Sequence, residues 1–150
     1  MRRRTTTRAG ALLALLLAGT AGVAGCTGDD AAPEDVSATT VRVLVRDINL
    51  RPVGADCAGT GGYQYFHHKA PFRVLDGEDR ALVTGTLPAG TAVAVFDEDL
   101  GVERVPTYCE FAVPVSVPQR AAYRLEVAGK PAHDLTSDSS EGPALVAVVP

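Results

Sequence analysis

Three histidines, a knot of carboxylates, a cluster of aromatic rings and three cysteines are the residues of this 150-residue chain with chemistry to offer. His67-His68 and His133 could meet at a transition metal, since neutral imidazole is a common ligand. Adjacent residues on a strand point to opposite faces, so only one of the pair would join His133. No His-Glu-x-x-His spacing is present. Two solvated histidines in a surface loop is the preferred reading. Asp97-Glu98-Asp99 with Glu103 gathers four carboxylates in one turn region. They could offer oxygens to Ca²⁺, but without EF-hand spacing, and hairpins carry such charges for solubility and to deter edge pairing. Gly59-Thr-Gly-Gly62 lacks the Lys-Ser/Thr and following helix of a phosphate loop. It reads as a tight turn beside Cys57. Ser37, Ser116, Ser137, Ser139 and Ser140 include no Gly-x-Ser-x-Gly elbow. No catalytic residue, cofactor or metal ligand is assigned from these patterns.

The aromatic cluster is the more useful pattern. Tyr63, Tyr65, Phe66 and Phe72 are four of the chain's eight aromatic residues, and they fall within ten positions. They either pack beneath a loop or form a recognition patch, because Tyr anchors interfaces at low entropic cost. On the second reading the binding residues are Tyr63, Tyr65, Phe66, His67 and His68. Their targets would be another exported or membrane protein, or a cell-wall glycan.

The remaining chemistry belongs to Cys26. Arg2, Arg3, Arg4 and Arg8 form a cationic start, Ala11–Ala18 is an Ala/Leu run, and Gly19–Gly25 is rich in small residues. These are the three parts of a secretory signal. The apolar run falls short of the roughly 20 residues that cross a bilayer as a helix. Val23-Ala-Gly-Cys26 resembles a bacterial lipobox, which implies cleavage before Cys26 and a diacylglyceryl group on its thiol. Acyl chains of palmitate type would then hold the protein at the outer face of the cytoplasmic membrane. A retained signal anchor and a cut by ordinary signal peptidase are the alternatives. The following stretch, Thr27-Gly-Asp-Asp-Ala-Ala-Pro-Glu-Asp, is polar and acidic, as suits a solvated tether spanning about 20 Å.

Loss of the leader removes four arginines and no acid from a chain with 14 Lys+Arg and 18 Asp+Glu, leaving it distinctly acidic. That composition argues against nucleic acid, whose binding rests on neutralising phosphates. It also leaves the lipid as the membrane contact. With Cys26 acylated, Cys57 and Cys109 remain. An even remainder outside the cytoplasm reads as one disulfide, with two free thiols or a metal pair as the alternatives.

From Thr40 onward the pattern has period two and is punctuated by Gly and Pro, the mark of short strands. Val41, Val43 and Val45 share one face against Arg42 and Arg46. Phe72–Leu75 and Arg80–Leu87 read as a hairpin turned by Asp76-Gly77. The Phe111–Pro118 run carries Pro114 and Pro118, which cannot donate to a ladder, so it belongs at an edge or at bulges. Ala144–Val149 is apolar on both faces, which suits a central strand. The fold class expected is all-β: a small antiparallel β-sandwich, immunoglobulin-like or transthyretin-like, with one disulfide. The expected organisation is a signal peptide at 1–25, a tether at 26–39 and the β-domain at 40–150.

Cys57-Ala-Gly-Thr-Gly-Gly-Tyr63, the Val74-Leu-Asp-Gly-Glu-Asp79 hairpin, Cys109-Glu-Phe111 and Tyr123-Arg-Leu-Glu-Val127 together resemble a domain of small actinobacterial exported proteins and lipoproteins. The resemblance implies the sandwich and the disulfide and no activity. Gln64-Tyr-Phe-His-His-Lys-Ala-Pro71 departs from that pattern. The function expected is a lipid-anchored, non-catalytic binding module of the cell envelope. The competing class is a metal-binding or hydrolytic envelope protein using His67, His68, His133 and nearby acids.

Overall fold

The computed structural model describes residues 34–140 and 142–150. The expected signal peptide and the lipidation residue Cys26 lie outside the described residues. Nine strands follow in order: β1 (Val36–Arg51), β2 (Asp56–Cys57), β3 (Pro71–Asp76), β4 (Ala81–Thr86) and β5 (Gly90–Ala94), then β6 (Val105–Pro118), β7 (Tyr123–Val127), β8 (His133–Asp138) and β9 (Ala144–Val149). They form one curled sheet in the order β2-β5-β6-β1-β9-β8-β7-β3-β4.

The fold is the expected all-β class, with a mixed sheet. β1 and β9 run parallel, pairing Thr40 with Ala144 and Val45 with Val149, while the other strand pairings are antiparallel. The curl is made by β8, whose two halves have different partners. His133–Leu135 pair with β7, and Thr136–Asp138 pair with β9. One strand thus turns the corner between two layers, as happens where a strand switches sheets.

Between the layers lies a single core. Alternation along β1 turns Val41, Val43 and Val45 inward, and Phe111 and Val117 from β6, Val74 from β3, and Leu125 and Val127 from β7 join them. The same period puts Arg73 and Glu126 on the outer face of the second layer, bonded to each other.

β1 begins four residues before the expected start of the domain. Val36–Thr39 pair with Val115–Pro118 and are sheet rather than tether. The proline-bearing half of β6 is an edge, as its sequence requires. β5 covers β6 only at Thr107–Glu110, so Pro114 and Pro118 face no ladder on that side. β9 lies between β1 and β8 near the middle of the order, which accounts for its apolar faces.

Two polar devices fix the turns. The Tyr123 hydroxyl donates to Pro118 O (2.9 Å) and accepts from Arg120 N (2.9 Å). This tyrosine corner spans the β6–β7 connection, as in Greek-key sandwiches. In the β3–β4 hairpin the buried Asp76 carboxylate accepts from the Glu78 and Arg80 amides and from Arg80 Nε. The left-handed residue there is Asp79 (φ 64°), and Gly77 has no positive φ. The turn therefore rests on Asp76 and Asp79, where the sequence pattern pointed to Asp-Gly.

Candidate functional site

The disulfide joins Cys57 of β2 to Cys109 of β6, with Cα atoms 5.7 Å apart. β5 runs between those strands, and its first residue, Gly90, lies beneath the bridge. A Cβ on Gly90 would sit 2.5 Å from Cys109 Sγ and 2.8 Å from Cys57 O. Only glycine fits, because real Cβ atoms do not approach so closely. Gly59 is also fixed by space: its Cβ would collide with the Tyr63 carbonyl. Gly59 thus lets the Cys57–Tyr63 loop fold tightly against itself.

That tight loop decides the fate of the aromatic cluster. Gly59 N donates to Phe66 O, Phe66 N to Tyr63 O, and Lys69 N to Leu87 O, so the segment is bonded at both ends. Phe66 is fully buried and packs toward Phe111, with ring centroids 6.2 Å apart; Phe72 is buried as well. Tyr65 is half-buried on Phe66 at 4.6 Å, and Tyr63 meets Tyr65 edge-on at 6.4 Å. Phe66 is therefore removed from the candidate contact residues. Its ring follows the inward side of a closed loop, where burying apolar area outweighs display. Tyr63 and Tyr65 are partly exposed, and His67 and His68 are exposed.

The histidines are brought together only as neighbours in sequence. His67 Nδ1 lies 2.8 Å from the His68 carbonyl oxygen. His133 stands apart on β8, its ring 5.8 Å from that of Phe66 and its Nε2 3.4 Å from the Tyr65 hydroxyl. Burial there pushes the His133 imidazole below its ordinary value, against the opposing pull of Asp134. Among the described residues no three His, Cys, Asp or Glu side chains converge as a metal site. Asp97, Glu98, Asp99 and Glu103 are exposed on the loop between β5 and β6.

A different surface stands out in three dimensions. At the end of β1, Ile48 is 74% exposed and Leu50 56%; on the β5–β6 loop Phe96 is 54% exposed. Ile48, Leu50 and Phe96 line one cleft of about 560 Å³ with Thr107, Tyr108 and Pro150. Leu100 and Val102 are exposed on the same loop, and Val53 follows β1. Asp47 sits inward at this end, accepting from the Asn49 amide and side chain and from Arg51 Nε. Burial alone pushes its carboxyl up, but these donors outweigh burial and hold it below the ordinary value. A carboxylate on an inward position followed by outward Ile48 and Leu50 inverts the alternation of β1. That inversion is legible in the sequence and marks the surface; the neighbouring Phe96 is evident only once β1 and the loop are folded together.

Comparison with protein-family models, with curated proteins and with solved structures finds no match to this chain.

Proposed function

We propose that this chain is a lipid-anchored, non-catalytic binding module of the cell envelope, tethered through Cys26 at the outer face of the membrane. The observation that carries the binding reading is the exposed apolar group of Ile48, Leu50 and Phe96 on a disulfide-tied β scaffold. Exposed apolar groups that share a cleft mark contact surfaces more often than isolated ones do. β1 links this group to the tether: the chain enters the strand at Val36 and reaches Leu50 at its other end, about 45 Å away at strand rise. Tyr63, Tyr65, His67 and His68 offer a second, smaller polar-aromatic contact.

The test is co-purification from crosslinked membranes. The wild-type chain is expected to bring down one dominant partner. Ile48→Ser with Phe96→Ser should lose it without lowering the melting temperature, since both side chains are exposed. A diffuse smear from wild type, unchanged by the double variant, would contradict the proposal.

A further inference from the structure

The cleft at the end of β1 has a chemical character that selects its occupant. Apolar side chains from Ile48, Leu50 and Phe96 form its walls, and the charged residues that line it are Arg46 and Asp47. The loop that carries Phe96 continues as Asp97-Glu98-Asp99 and ends Glu103-Arg104, four carboxylates against one guanidinium. Among the described residues none of those four carboxylates has an ion-pair partner. Asp47, also lining the cleft, is already paired with Arg51.

We infer that this cleft receives a basic amphipathic segment of another protein, with apolar anchors between Ile48, Leu50 and Phe96 and flanking Lys or Arg residues on Asp97, Glu98, Asp99 and Glu103. The inference rests on the binding-module reading and specifies its partner. Charge complementarity decides against two other occupants. An anionic lipid surface attracts basic segments and repels this acidic loop. A second copy docked about a two-fold axis would set the same carboxylates against one another. A cationic segment turns those charges into steering and register, as charged rims do at protein interfaces.

The test places a photo-crosslinking phenylalanine analogue at Phe96, and separately at Tyr65, in the full chain in its host membrane. The captured species is identified by sequencing. From Phe96 the expected adduct is one protein segment with apolar anchors flanked by Lys or Arg. Its yield should fall about tenfold on raising salt from about 0.1 to about 0.5 M, and about tenfold with Asp97→Asn, Glu98→Gln and Asp99→Asn combined. These replacements sit on an exposed loop and should leave the melting temperature unchanged. A lipid adduct, a self-adduct, a neutral or acidic segment, or a yield insensitive to salt would overturn the inference. Capture from Tyr65 alone would overturn it and leave the binding module standing; capture from neither position would overturn both.

Discussion

The side chains that most constrain this molecule are polar or aromatic groups buried with their partners in place. Asp47 and Asp76 behave alike. Burial pushes each carboxyl up, and the donors around it, Arg51 and Asn49 for one and Arg80 and Glu78 for the other, outweigh burial and hold it below 3.8. A depressed folded-state value means the unfolded chain binds more protons in that range, so stability rises with pH there. The stabilisation is present above 3.8 and lost as the pH falls further. Thermal unfolding should show a melting temperature that declines below pH 3.8, and Asp47→Asn with Asp76→Asn should flatten that decline. Phe66 yields a second prediction. Its ring is fully buried among Tyr65, Phe111 and His133. Phe66→Ala should therefore cost about 3–5 kcal/mol in chemical denaturation, whereas His67→Ala and His68→Ala, both exposed, should cost little. Tyr123→Phe removes the hydroxyl that bridges Pro118 and Arg120, and about 1–2 kcal/mol should go with it.

Among the elements, the disulfide and the strand it spans set the strictest test. The bridge closes a 52-residue separation, and in the chain-entropy account such a loop contributes about 4 kcal/mol. Cys57→Ala with Cys109→Ala should lower the unfolding free energy by about that amount. Gly90→Ala should cost about 1–3 kcal/mol through overpacking against Cys109 Sγ and Cys57 O, although the substitution raises strand propensity; a neutral result would show that β5 can move away from the bridge. Much of this layer was legible in the sequence. The valines of β1, the β3–β4 hairpin and the edge placement of Pro114 and Pro118 follow from local rules of period and proline chemistry. What the sequence could not convey depends on contacts between distant segments. The parallel pairing of β1 with β9 and the division of β8 between two neighbours carry no local mark. Gly90 reads as a turn residue, yet it is needed for space beneath a bridge whose cysteines lie 33 residues before and 19 after it. The candidate contact surface divides the same way. The aromatic run was visible, but the inward direction of Phe66 was set by hydrogen bonds from Gly59 and Leu87 that close the loop.

At the scale of the whole molecule, one long strand, β1, runs from the start of the described residues to the proposed contact surface. β1 lies in the middle of the sheet between β6 and β9, receives the chain at Val36 and ends beside Ile48 and Leu50. β1 is paired with β6 over most of its length and with β9 at Thr40–Val45. The proposed lipid on Cys26 would hold the body near the membrane, and the proposed cleft lies at the Leu50 end of β1. The acidic balance of the chain suits the same picture: the lipid, rather than charge, would make the membrane contact, while the acidic loop stays free for a cationic partner.

The most direct measurement of this account is membrane fractionation of the full chain beside Cys26→Ser, with mass spectrometry of the N-terminal peptide and a melting curve of the released protein. The account predicts that the wild-type chain sediments with membranes and begins at a diacylglyceryl-modified Cys26. It predicts that Cys26→Ser appears in the soluble fraction with the Cys57–Cys109 bridge intact and the melting temperature unchanged. A Cys26→Ser chain that stays with the membranes, or a wild-type N-terminus without lipid, would contradict it.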